Sequence, residues 1–203
     1  MPSLSIAYLP GGGGRSSFWR PVADRLWRHG APMVFGYPGF GDAPADSSLR
    51  SLSDLYDALL ATLPERFHLV AQSMGNVLAL RIAIEHPERV ASLVCCAVSG
   101  GIDVRALGGA EWRPTFRAEQ PLVPSWFLDD ASDFTARLAS LGPTLVLSGD
   151  ADPLSPVTVG EFLRDRVPSS RLEVVTGGTH HMAFDEPDRV AELIGPFVGN
   201  VPR

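Results

Sequence analysis

The stretch Phe67-His68-Leu69-Val70-Ala71-Gln72-Ser73-Met74-Gly75 decides the fold of this chain. Phe67 to Val70 is an apolar run of the length of a buried strand. Asn76 to His86 then reads as a helix, with Val77, Leu80, Ala83 and Ile84 at helical spacing. Ser73 is thereby pinned on a tight turn between a strand end and a helix start. Small residues two before it and two after it, Ala71 and Gly75, let strand and helix pass closely. The turn pushes the serine side chain out of the packed layer, above a helix N-terminus that favours developing negative charge. The five residues Ala71-Gln72-Ser73-Met74-Gly75 also fit a helix-capping serine in any α/β domain, because short motifs recur by chance. The rest of the chain separates the two readings.

Working outward, strands and helices alternate. Leu4 to Leu9 is a short strand ending in Pro10 and the cluster Gly11–Gly14, and Phe18 to His29 follows as a helix. Pro32 to Phe35 is a brief strand closed by the turn residues Gly36 to Gly41. Leu52 to Leu63 is helical, with Ser51 or Ser53 as its cap. Val90 to Val98, Thr144 to Leu147 and Leu172 to Val175 are strands, and Val157 to Val167 and Asp188 to Phe197 are helices. This order predicts an α/β fold: a mostly parallel sheet with helices on both faces. Ligands of such open sheets bind beyond the carboxyl ends of the strands. Ser73 and the glycine cluster both follow strands directly, so they belong to one edge.

One stretch breaks the alternation. Gly100 to Leu141 holds Trp112, Phe116, Trp126 and Phe127 among Pro114, Pro121 and Pro124, then a helix-like Ser132 to Leu141. Its aromatic content argues for order and its length for function. The expectation is a single domain over residues 1–203 with a lid-like insertion at about 101–141.

Composition narrows the function classes. The formal net charge is −6 and Lys and Arg form no cluster, which argues against a nucleic acid as partner. No apolar run approaches the ~20 residues that span a bilayer. Met1 to Leu9 lacks a basic n-region and does not read as a signal peptide. Cys95 and Cys96 are adjacent within a strand, too close for a relaxed disulfide, and read as buried packing residues. A reduced, cytoplasmic protein is expected.

A serine hydroxyl is a poor nucleophile until a base takes its proton, and the base needs a third group to orient it. Acid candidates lie past a strand end in Ser148-Gly149-Asp150-Ala151-Asp152-Pro153, with Asp103 a weaker third, although Asp and Gly are common in any turn. Base candidates are His180 and His181, in the glycine-rich loop after the last strand. His29, His68 and His86 fall at element ends. A metal reading of His180, His181 and Asp185 lacks a further ligand at suitable spacing. Gly11–Gly14 has no Gly-Lys-Ser/Thr ending and no G-x-G-x-x-G pattern, so it does not read as a phosphate loop. Exposed amides facing a negative oxygen suit it better, with donors from Gly12 or Gly13 and from Met74.

Glycine donors, serine, acid and histidine follow one another in that order, each just after a strand. In this the chain resembles the α/β-hydrolases over nearly its whole length. Leu9-Pro10-Gly11-Gly12 sits where that family often has a His-Gly oxyanion loop, with Phe18-Trp19 at a familiar distance. Pro38-Gly39-Phe40-Gly41 resembles the family's loop before the second helix. Leu145 to Pro153 is similar to its acid loop, in which Asp152 is the matching acid. The family commonly has an acidic residue five after the histidine and a proline seven after, and Asp185 and Pro187 thereby select His180 over His181. Pro10, Ala71 and Gly36 depart from the usual histidine, glycine and aspartate, and no triad member is lost. The chain is short for the family, so its lid is small. Ser73 sets it apart from the members whose nucleophile is an aspartate.

The resemblance implies a serine hydrolase acting on a small or medium carboxylic ester or thioester through an acyl-enzyme. Ser73, His180 and Asp152 are its expected catalytic residues, and the Gly12 and Met74 amides its oxyanion donors. No cofactor and no metal are implied. The expected partner is a small molecule with an apolar acyl group, lodged against Trp112, Trp126 and Phe127. Amide, C–C bond or haloperoxidase-like chemistry on the same triad is the alternative, as is a ligand-binding protein that keeps the fold without turnover.

Overall fold

Side chains alternate faces along a strand, and here both faces are buried. On β1 (Ser5–Leu9), Ile6 and Tyr8 point into one apolar layer, and Ala7 and Leu9 into the other. The structure, a computed structural model, describes residues 3–41 and 43–200. The first two residues of the Met1–Leu9 stretch lie outside them.

After β1 come a 3₁₀ turn at Ser16–Phe18, α1 (Arg20–Leu26), β2 (Pro32–Val34), α2 (Leu52–Thr62), β3 (Phe67–Gln72), α3 (Gly75–Glu85) and β4 (Val90–Cys96). The long segment then supplies α4 (Arg113–Glu119), α5 (Ser125–Leu128) and a 3₁₀ stretch at Thr135–Ser140. It is followed by β5 (Thr144–Gly149), α6 (Val157–Arg166), β6 (Ser170–Val175), α7 (Met182–Asp185) and α8 (Pro187–Asn200). Every strand pairing is parallel, in the order β2-β1-β3-β4-β5-β6. Residues of β3 and β4 are buried throughout, which is why they read as apolar runs rather than alternating ones. Residues of α1 and α8 fill one layer, and those of α2, α3 and α6 the other.

From β1 the chain goes first to β2 on one side and then returns to β3 on the other. The strand order therefore reverses between β1 and β3, and at such a switch point a crevice opens beyond the carboxyl ends. The glycine loop after β1 and the Ser73 turn after β3 form its two lips.

Two helices are shorter than expected. The Phe18–His29 helix resolves into the 3₁₀ turn and α1, because Pro21 has no N–H to give and is accommodated only in a first turn. The helix-like Ser132–Leu141 is only the 3₁₀ stretch. Ser51, one of two cap candidates, accepts the Asp54 amide at 3.1 Å. Among the described residues no helix is long and apolar enough to cross a membrane.

Candidate active site

Ser73 has φ 53°, in the left-handed region. For a residue with a Cβ this conformation costs on the order of 1–3 kcal/mol and persists only where the surroundings impose it. The surroundings here are specific. The Asn76 side-chain amide donates to the Ser73 carbonyl at 3.0 Å and to the Cys96 carbonyl at 3.3 Å, while Ser73 N also donates to the Cys96 carbonyl. Gly75 faces the end of β1 so closely that a Cβ there would lie 2.3 Å from the Pro10 carbonyl oxygen. Only glycine lets the helix start come that near to the neighbouring loop.

His180 joins Ser73 to Asp152. Its Nε2 lies 2.9 Å from Ser73 Oγ and its Nδ1 2.8 Å from Asp152 Oδ2. Asp152 Oδ1 accepts the Leu154 and Ser155 amides at 2.9 and 3.1 Å, so a fully buried carboxylate side chain has its oxygens occupied. An ionised carboxylate can only accept. Nδ1 therefore carries the imidazole proton, and the Nε2 lone pair is left for the serine hydroxyl. This is the tautomer that can take a proton from Ser73.

The glycine lip is tied down from both sides. Trp19, fully buried, donates through its indole N–H to the Leu9 carbonyl at 2.9 Å, and the Tyr37 hydroxyl donates to the Pro10 carbonyl at 2.9 Å. Burial raises the Tyr37 hydroxyl well above the ordinary tyrosine range, so it stays a donor. Among the described residues, the Gly12 and Met74 amides make no hydrogen bond. Amides left open beside a serine suit a negatively charged oxygen. Ser73, His180 and Gly12 line one cleft of about 840 Å³, within the range of small-ligand sites.

A sequence model described as the alpha/beta hydrolase family matches residues 6–110, just over half of the chain. The chain belongs to that family. A pimeloyl-[acyl-carrier protein] methyl ester esterase of Aeromonas hydrophila is 27% identical over 96% of this chain and 95% of its own. Among solved structures, a hydrolase from Pseudomonas aeruginosa PA01 superposes with a TM-score of 0.79, at 20% identity over 97% of this chain and 90% of the other. A thermophilic esterase from Thermogutta terrifontis gives 0.78, at 20% identity over 98% and 91%.

In this α/β-hydrolase the structure separates the candidates that the sequence left open. Asp150 is exposed and accepts the Gly177 amide, and Asp103 caps a turn through the Ala106 amide. Neither touches a histidine nitrogen. Asp103 lines a separate cavity of about 470 Å³ between residues 99–105 and 129–133, which none of Ser73, His180 and Asp152 lines. His181 is exposed beside Phe18, at the rim of the cleft.

The aromatic expectation needs correction for two of its three residues. Trp112 lines the cleft, but Trp126 and Phe127 do not. Phe127 is fully buried between Tyr37 and Phe40, and Trp126 packs edge-on against Phe40. They fasten the segment to the core. Phe116 takes their place in the cleft: its ring lies so close over Gly12 that a Cβ there would be 3.2 Å from it. Trp112 and Phe116 stand four residues apart across the start of α4, and that spacing carried the signal. Gln72, Asn76 and Tyr37 left no such signal, because each acts through side-chain bonds to backbone carbonyls, which no residue pattern marks.

Proposed function

We propose that this α/β-hydrolase cleaves small or medium carboxylic esters or thioesters through an acyl-enzyme on Ser73. The observation that carries the reading is the unbroken bond path from Ser73 Oγ through His180 to the buried Asp152 carboxylate. The methyl ester esterase among its relatives supports ester chemistry.

His180 Nε2 takes the Ser73 proton as Oγ attacks the carbonyl carbon, and Asp152 holds the imidazolium that forms. The Gly12 and Met74 amides receive the tetrahedral oxyanion. The C–O or C–S bond then breaks, and His180 returns its proton to the leaving alcohol or thiol. A water molecule deprotonated by the same nitrogen attacks the acyl-serine and releases the acid. The chemistry asks for no metal or cofactor.

Trp112, Phe116, Phe18 and Leu154 line the cleft and favour an apolar acyl group. Residues 101–141 act as the lid of a single domain, with α4 as the part over the reacting atoms. The free and buried Cys95 and Cys96 fit a reducing cytoplasmic compartment.

The test is a matched panel of p-nitrophenyl esters, thioesters and anilides of one acyl series, assayed with the parent and Ser73→Ala enzymes. The reading predicts ester or thioester turnover that Ser73→Ala reduces by about 10⁶-fold without loss of fold. Retained turnover in a folded Ser73→Ala enzyme contradicts it. Anilide cleavage at rates equal to the esters moves the protein to the amidases.

A further inference from the structure

Gln72 is the last residue of a central strand whose other positions are buried and mostly apolar, and it is itself only 4% exposed. An unbonded carboxamide at such a place is costly, so the partners of this one are informative. Its Nε2 donates to the backbone carbonyl of His180 at 3.1 Å, across 108 residues of sequence. That carbonyl accepts no other hydrogen bond among the described residues. The flanking residues of the loop are used differently: the Thr179 carbonyl takes the Met182 amide and the His181 carbonyl takes those of Phe184 and Asp185. The other end of the carboxamide faces the glycine lip, where a Cβ at Gly11 would stand 2.3 Å from Gln72 Oε1 and 2.8 Å from Ser73 Cβ.

We infer that Gln72 is a positioning residue that sets the distance between nucleophile and base: it lines the cleft, but its carboxamide is committed to the His180 carbonyl and the glycine lip. The inference rests on the proposed roles of Ser73 and His180. The ring nitrogens of His180 bond to Asp152 and Ser73, and the bond to Ser73 is broken and remade during turnover as the proton moves. The Gln72 bond grips the histidine by its backbone and does not change. It ties the loop after β6 directly to the residue preceding the nucleophile, so that the elbow and the base move as one body. Its Oε1 fills the space that a side chain at Gly11 would need and so fixes the glycine lip against the same elbow. Misplacing a catalytic group by about 1 Å costs about 100-fold in rate, which is the scale of effect expected when this bond is removed.

Gln72→Met keeps the length and burial of the side chain but cannot donate. Gln72→Glu can donate only while its carboxyl is protonated, and as a carboxylate it repels the His180 carbonyl. The experiment measures kcat, KM, melting temperature and the pH–rate profile of both variants beside parent and Ser73→Ala, with a p-nitrophenyl ester as substrate. The inference predicts that Gln72→Met lowers kcat by ten- to a hundred-fold with KM within about twofold of the parent. It also predicts that Gln72→Glu gains a fall in activity on the alkaline side that the parent lacks. A Gln72→Met enzyme with kcat near the parent's overturns the inference. So does a Gln72→Glu profile that is the parent's profile merely scaled down, and this arm decides the matter if the Met variant does not fold. Full turnover in Ser73→Ala overturns the proposed chemistry instead, so the two failures are told apart.

Discussion

The crevice edge of the sheet and the segment proposed as its roof are held by different forces. At the edge, each working group has directed hydrogen bonds: Asp152 from two amides, the Pro10 carbonyl from Tyr37, the Ser73 carbonyl from Asn76. Residues 101–141 are fastened mainly by ring packing on Phe40 and Tyr37, with a few bonds such as that of the Ala110 amide to the Pro153 carbonyl, while exposed ion pairs such as Arg117 with Asp129 lie within the segment. Exposed pairs of that kind contribute roughly 0–1 kcal/mol. Directed bonds fix positions to within tenths of an ångström, as bond making and breaking requires. Ring packing fixes a surface, which is enough to shape a pocket. Substitutions at the edge should therefore act on rate with the fold intact, and those in the roof on stability or on selectivity.

The largest expected effect lies at the edge. Asp152→Asn preserves the shape and leaves Oδ1 to accept the Leu154 and Ser155 amides, but it turns an N–H toward His180 and reverses the tautomer. Turnover should fall about 10⁴-fold, with a melting temperature close to the parent's. An equal loss of stability would erase the distinction between edge and roof.

Next is the fastening of the roof. Phe127→Ala removes a fully buried ring and should cost about 3–5 kcal/mol, read as a melting temperature lower by roughly 2–4 °C per kcal/mol for a chain of this size. The ratio of kcat/KM between long and short esters should stay unchanged where the variant is folded. A changed ratio would return Phe127 to the pocket.

The two ends of β3 sharpen the contrast. At its foot, His68 is buried with Nδ1 2.7 Å from Ser92 Oγ. Burial, then the charge of Arg66, lowers its pKa from the ordinary 6.5 to about 4. The unfolded chain takes up the proton first. The stability conferred by neutral His68 is thus fully present above pH 6.5 and is lost as pH falls toward 4. The melting temperature should drop by several degrees across that window in the parent and by less in His68→Gln, as thermal melts at stepped pH would record. Parallel melts in the two proteins would remove His68 from the account.

Smallest is the shaping of the pocket. Phe116→Ala takes the ring away from Gly12 and should raise the kcat/KM ratio of long over short acyl esters by about tenfold, with little effect on melting. An unchanged ratio would mean that α4 does not bound the acyl group.

What the sequence made legible follows the same division. Ser73, Asp152 and His180 could be read because each follows a strand directly, and parallel strands deliver their carboxyl ends to one edge. Strand periodicity and turn composition carry that information locally. The selection of Asp152 over Asp150, and of His180 over His181, came from the resemblance rather than from spacing, since neighbours in a loop differ only in side-chain direction. Direction is also why Trp126 and Phe127 were misplaced: in a short turn of helix among prolines no period says which ring faces in. Gln72 was hidden for another reason. Its partner is a backbone atom far along the chain, and no residue pattern marks a carbonyl that lacks a partner.

Activation of Ser73 by His180 can be read with a fluorophosphonate probe. The probe should form one adduct, mapped by peptide mass spectrometry to Ser73. Labelling should be lost in folded His180→Ala and kept in His181→Ala. An adduct on another residue, or labelling that survives His180→Ala but is abolished by His181→Ala, would contradict the account.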